Sequence, residues 1–134
     1  MLGAYAMKRP EQDLQILAVQ MIRLAAPDLM FWHTPNGGGR SKVEASILKA
    51  MGTLPGVPDL TFILPNGTPA FIEMKARKGV LTPGQKAFRD AVRERGLSWQ
   101  EARTLTEVWD ILDGWLRPWG WSLKVQRPIE SKAA

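Results

Sequence analysis

Residues 59–75 read Asp-Leu-Thr-Phe-Ile-Leu-Pro-Asn-Gly-Thr-Pro-Ala-Phe-Ile-Glu-Met-Lys, and their register decides the fold. Two runs of strand character, 59–64 and 69–75, flank Leu64-Pro65-Asn66-Gly67-Thr68, the composition of a hairpin turn. A two-residue turn at Asn66-Gly67 would set Asp59 opposite Met74 and leave Asp59 and Glu73 on opposite faces. A three-residue loop of Pro65, Asn66 and Gly67 puts proline where its fixed φ fits and glycine at the left-handed bulge position. The second register is preferred because both backbones are favoured there. It pairs Leu64 with Thr68, Phe62 with Ala70, Leu60 with Ile72 and Asp59 with Glu73. One face then carries Leu60, Phe62, Leu64, Ala70, Ile72 and Met74, which suits a core. The other carries Asp59, Thr61, Ile63, Phe71, Glu73 and Lys75.

Two carboxylates directly across a strand pair have Cβ atoms about 4.5–5.5 Å apart, and like charges so placed repel. The repulsion is relieved if one acid is protonated, if Lys75 neutralises part of the charge, or if a divalent cation binds between them. The chain has no cysteine and one histidine, so a metal site here is built from oxygens and suits Mg²⁺ or Mn²⁺ better than zinc. Phe71 and Ile63 share the acidic face, which points to a covered surface rather than a wet one.

Outward from the hairpin, the pattern predicts helices and strands in alternation. Pro10 suits a first helical turn, and residues 11–26 place Leu14, Leu17, Met21 and Leu24 at helical spacing, ending before Pro27. Residues 29–34 (LMFWHT) are apolar enough for a buried strand, broken by the loop 35–39 (PNGGG). Ser41 can cap a helix running to Met51, and 54–58 (LPGVP) forbids regular helix before Asp59. Thr82-Pro83-Gly84-Gln85 starts a helix ending at Gly96, residues 97–102 read as a strand, and Thr106 caps a last helix over 107–116. Residues 121–125 have the composition of an edge strand, and the last residues that of a frayed tail. The expectation is one α/β domain over 1–134: a sandwich with a small mixed central sheet flanked by helices, its core at about 10–117 and a C-terminal extension at 118–134.

A chain of 134 residues is about one domain, and 45% hydrophobic with 23% charged residues is the mix of a globular protein. Disulfides, thiolate zinc sites and cysteine nucleophiles are excluded by counting. Neither a signal peptide nor a membrane span is legible. The net charge of +5 favours polyanionic partners, although composition alone is a weak pointer to nucleic acid.

Gly56-Val57-Pro58-Asp59 followed after a hairpin by Glu73-Met74-Lys75, with Glu11 on the first helix and Gln85 on the next, resembles the VRR-Nuc (virus-type replication-repair nuclease) family of the PD-(D/E)XK nucleases. The resemblance spans residues 11–116. It implies a restriction-endonuclease-like fold and a metal-dependent DNA endonuclease that hydrolyses phosphodiesters in branched DNA such as four-way (Holliday) junctions, with a role in DNA repair. It further implies a homodimer, no membrane partner, and a cytoplasmic setting in a bacterial or phage-infected cell. Carried across residue by residue, Asp59 and Glu73 would ligate Mg²⁺ or Mn²⁺ with the main-chain carbonyl of Met74, and Glu11 would complete the site. Lys75 would position and help deprotonate the attacking water, and Gln85 would orient Lys75 or that water. A sequence-specific restriction-type enzyme and a non-catalytic DNA-binding module are the competing readings on the same fold.

Each residue also has a plain structural role open to it. Gln85 completes a Thr82-x-x-Gln85 capping box, and Glu11 sits in a first turn where a negative charge favours the helix dipole. His33 is expected to pack or hydrogen-bond rather than ligate metal. Asn36, Arg40, Lys42, Arg77 and Lys78 flank the site as candidate DNA-backbone contacts, although surface cations are usually just solvated. Trp109 shares a helical face with Leu112 and Leu116, which argues for core or dimer contact rather than base stacking.

Overall fold

The computed structural model describes residues 9–35 and 41–130. Within them the order is α1 (Pro10–Ala25), β1 (Met30–His33), α2 (Lys42–Ala50), β2 (Leu60–Ile63), β3 (Pro69–Met74), α3 (Pro83–Glu94), β4 (Ser98–Ala102) and α4 (Leu105–Leu116), with a short 3₁₀ turn at Arg117–Trp119. The four strands form one sheet in the order β1-β2-β3-β4. The first two pairings are antiparallel and the third is parallel, so the sheet is mixed as expected.

The hairpin adopts the three-residue loop. Leu60 pairs with Ile72 and Phe62 with Ala70, the Leu64 N–H donates to the Thr68 carbonyl at 2.9 Å, and Gly67 takes the left-handed conformation at φ 86°. Because side chains alternate along a strand, this register sends Leu60, Phe62, Ala70, Ile72 and Met74 into one core with Ala18 and Ile22 of α1 and Val108, Leu112 and Leu116 of α4. The opposite face buries Phe71 and Trp99 under Val92 of α3, with Leu81, Phe88 and Leu97 around them. The sandwich therefore has α1 and α4 on one side and α3 on the other.

Several sequence expectations are corrected. The stripe of α1 is rotated: Leu24 is exposed, while Ala18, Ile22 and Ala25 are buried. Leu14 and Met21 of the expected stripe do pack against the core, and the small alanines let the helix backbone approach the sheet, while Leu17 and Leu24 stay exposed. β1 is not a buried strand, because it lies at the sheet edge and only Phe31 packs inward, stacked on Phe62 at 5.4 Å. The last helix is capped by Thr104, whose hydroxyl accepts the Glu107 N–H, whereas Thr106 is buried and donates its hydroxyl to the Pro128 carbonyl.

Residues 121–125 form no strand. The tail is held by side chains instead: the Trp109 indole donates to the Val125 carbonyl at 3.0 Å, and Arg127 forks onto Asp110 at 2.8 and 2.9 Å. Glu130 is still anchored, accepting from the Thr104 hydroxyl at 2.7 Å, and the frayed tail expected of the last residues falls on 131–134, outside the described residues.

Candidate active site

Asp59 enters the sheet at the start of β2 because the preceding chain has a rigid seat. Gly56 sits at φ 80°, and a Cβ there would lie 2.3 Å from the backbone of Gly84 and 2.6 Å from Gln85 N. Only glycine permits that approach. The turn before Pro58-Asp59 is thereby pressed onto the first turn of α3, and Pro58 itself is buried. From this seat the Asp59 carboxylate accepts the Met74 N–H at 2.8 Å. The carbonyl of Asp59 accepts the Thr34 N–H at 3.0 Å and lies 2.8 Å from His33 Nδ1. His33 is thus a hydrogen-bonding residue that ties the end of β1 to the loop carrying the acid, as expected.

Glu73 is 2% exposed, and its Oε1 has no hydrogen-bond partner among the described residues. Burial, and next the adjoining Asp59 carboxyl, push its pKa up to about 9, with Lys75 pulling the other way and Glu11 adding to the rise. The two acids expected to meet across the hairpin therefore do so, and one of them is held as a neutral carboxyl near pH 7. Lys75 is 8% exposed and extends its Nζ to within 4.0 Å of Glu11 Oε1. A lysine so enclosed is a positioned charge rather than a solvated one.

Glu11, Asp59, Glu73 and Lys75 thus belong to one neighbourhood, supplied by α1, β2 and β3. Among the described residues no three His, Cys, Asp or Glu side chains form a ready-made metal cage. The donors present are the Asp59–Glu73 pair, with Glu11 turned toward Lys75. Met74 is buried, and the interaction that places it is its N–H to Asp59.

Gln85 serves as a cap through its side-chain oxygen and main chain: its Oε1 accepts the Thr82 N–H at 2.9 Å and its own main-chain N–H donates to the Thr82 hydroxyl at 3.2 Å. It lies beside the site through the Gly56 contact with the same helical turn. Arg77 and Lys78 are exposed on the loop directly after Lys75, and Lys42 is exposed at the first position of α2. Asn36 and Arg40 lie outside the described residues.

Three residues escaped the sequence reading. Asp13, two positions after Glu11, is 2% exposed with neither carboxylate oxygen hydrogen-bonded among the described residues. Glu101 and Arg103 stand on β4 and just beyond it, and Glu101 pairs in register with Glu73. An acid, an alanine and an arginine at 101–103 parallel the Glu73-Met74-Lys75 triplet, but no local pattern reveals that the two segments become neighbours.

The comparisons with known proteins agree with this geometry. A solved structure described as a "VRR_NUC domain protein" superposes with a TM-score of 0.60 over 80% of this chain and 88% of the other, at 18% identity. That likeness speaks for the fold. No curated protein matches the chain. The family model described as "VRR-NUC domain" matches residues 12–104, which takes in the hairpin acids, the lysine and the capping glutamine. With more than half its length so matched, this chain is a member of the VRR-NUC domain family, a family of the nuclease type.

Proposed function

We propose that this protein is a Mg²⁺- or Mn²⁺-dependent DNA endonuclease that selects branched structure, four-way junctions included, rather than sequence. The observation that carries the reading is the buried Glu73 carboxyl, unpartnered at Oε1 and pressed against Asp59. A stable fold keeps such a pair only where a proton or a cation resolves it, and the all-oxygen donors fit a hard divalent ion. Asp59 and Glu73 would hold the ion, with the Met74 carbonyl and Glu11 completing the set. When bound, it would polarise a phosphoryl oxygen and lower the pKa of a coordinated water.

The chain's own residues supply the rest. Lys75, enclosed beside Glu11, positions the attacking water and steadies charge on the phosphate. Gln85 orients that group from the first turn of α3. Lys42, Arg77 and Lys78 track the duplex backbone, a role their exposure permits. The homodimer that two coordinated cuts require finds a surface on α2: none of its residues is buried, and Val43 and Ile47 with Met51 and Leu54 beyond it expose apolar side chains.

The test is cleavage of linear, flap, splayed and four-way DNA with and without divalent metal. Wild type is expected to cut the branched forms only with metal. Lys75→Ala is expected to bind the same DNA and leave it intact. Equal cutting by the variant removes the proposed chemistry, and cutting of linear duplex at one sequence replaces structure selection with sequence reading.

A further inference from the structure

The parallel pairing of β3 with β4 sets a second acid and base beside the first. Glu73 pairs with Glu101 and Met74 with Ala102, and the Lys75 N–H donates to the Ala102 carbonyl at 3.0 Å. Partners in register share a face, so Glu101 stands alongside Glu73, and Arg103 follows where Lys75 leaves the sheet. Glu101 brings a further negative charge to this end of the sheet.

Arg103 engages that charge and does more. Its Nε donates to Glu101 Oε2 at 2.6 Å, while Nη1 donates to the carbonyls of Ala76 at 2.8 Å and Arg77 at 3.0 Å. Its own N–H donates to Glu107 Oε1 at 2.7 Å, which anchors the arginine to the first turn of α4. The two carbonyls it grips belong to the residues immediately following Lys75. The same loop returns beside the lysine stem, where a Cβ on Gly79 would come 3.4 Å from Lys75 Cδ and 3.3 Å from the Ala76 carbonyl oxygen. Charge-assisted bonds from a planar fork fix direction as well as distance.

We propose that Arg103 is a positioning residue for Lys75: it locks the 76–77 backbone so that the ammonium is delivered to the acid pair, and it ties down the Glu101 carboxylate in the same set of bonds. This rests on the nuclease reading given above. A lysine at 103 can neutralise Glu101 but cannot hold the two carbonyls as the fork does, so the pairing and the backbone grip are separable. Misplacement of a reacting group by about 1 Å costs up to roughly a hundredfold in rate.

The experiment compares full-length wild type, Lys75→Ala, Arg103→Ala, Arg103→Gln and Arg103→Lys on one four-way DNA. Single-turnover rates are read at saturating Mn²⁺, and DNA affinity without metal, at a temperature where circular dichroism reports each variant folded. Arg103→Lys and Arg103→Gln are expected to cut about 10- to 100-fold more slowly than wild type, with DNA affinity within about threefold. Added methylguanidinium is expected to restore part of the rate to Arg103→Ala and none to Lys75→Ala. Wild-type rates in the folded Arg103 variants, even with lowered melting temperatures, overturn the positioning role alone. A wild type that cuts no DNA removes the nuclease reading and this inference with it.

Discussion

The main-chain N–H of Met74 donates a 2.8 Å hydrogen bond to the Asp59 carboxylate. The acid of β2 is thereby aimed by the backbone that carries the neighbouring acid of β3, and its orientation survives any change that preserves an acceptor. Asp59→Asn keeps that acceptor through its amide oxygen. It is expected to melt close to wild type while losing the calorimetric Mn²⁺ signal and DNA cleavage. Asp59→Ala leaves the N–H unsatisfied and is expected to lose a further 1–3 kcal/mol or so in urea denaturation. Mn²⁺ binding by Asp59→Asn at wild-type affinity would remove this residue from the ligand set.

Glu73 links pH to stability. Its native pKa of about 9 stands above the ordinary 4.5, so the folded state holds the proton more tightly than the unfolded chain. Its contribution to stability is complete below about pH 4.5 and is lost as pH rises through about 9. Glu73→Gln fixes the neutral form. In metal-free buffer it is expected to exceed wild type in stability by about 1–3 kcal/mol at high pH and to match it near pH 4. Thermal melts at both pH values check this, and a difference that does not shrink on acidification contradicts it.

The seat under Asp59 is as exacting as the acid itself. Gly56→Ala must adopt a left-handed φ and place a methyl group against the Gly84 backbone, where 2.3 Å is available. A loss of about 2–3 kcal/mol in urea denaturation is expected, together with reduced cleavage at temperatures where the variant is folded.

Gln85 serves as a cap, and the catalytic share proposed for it is separable from that. Gln85→Glu retains an oxygen for the Thr82 N–H and is expected to hold stability within about 0.5 kcal/mol, whereas Gln85→Ala loses about 1 kcal/mol with its half of the capping box. Both are expected to slow cleavage by at least about tenfold. Wild-type rates in Gln85→Glu would reduce this residue to its helix-capping bond.

The exposed face of α2 predicts an oligomer. Ile47→Asp sets a charge in the middle of that face and is expected to elute as a monomer in light-scattering chromatography, weakening association by at least about tenfold. Paired incisions on a four-way junction should fall while single nicks persist. An unchanged dimer would place the contact elsewhere.

Much of the site was legible because the hairpin is governed by short-range rules. Pro65 and Gly67 each admit few backbone conformations, and the twofold alternation of a strand converts that loop into a statement about which side chains share a face. The edge position of β1 was hidden because an apolar, aromatic run reads alike whether or not a neighbour covers it. The cap falls on Thr104 rather than Thr106, and the Thr104-x-x-Glu107 spacing carries that signal in the sequence. Glu101, Arg103 and Asp13 were out of reach for a different reason: each is defined by a partner, or the want of one, set by tertiary packing. Parallel register in particular is fixed by a crossover helix and leaves no mark on either strand.

The two sides of the sheet are unequally upholstered. α1 and α4 share a broad core with the whole hairpin, whereas α3 rests on Phe71 and Trp99 through buried Val92 and half-buried Phe88, steadied by Arg89 and Arg93 over the Trp99 ring. Cooperative opening begins where the least apolar surface is committed. Of the two helical covers on the sheet, the α3 side is therefore the thinner, and its leading turn carries Gln85 and braces the loop of Asp59, so the candidate site lies on the side that loosens more readily, against a firmer framework behind it.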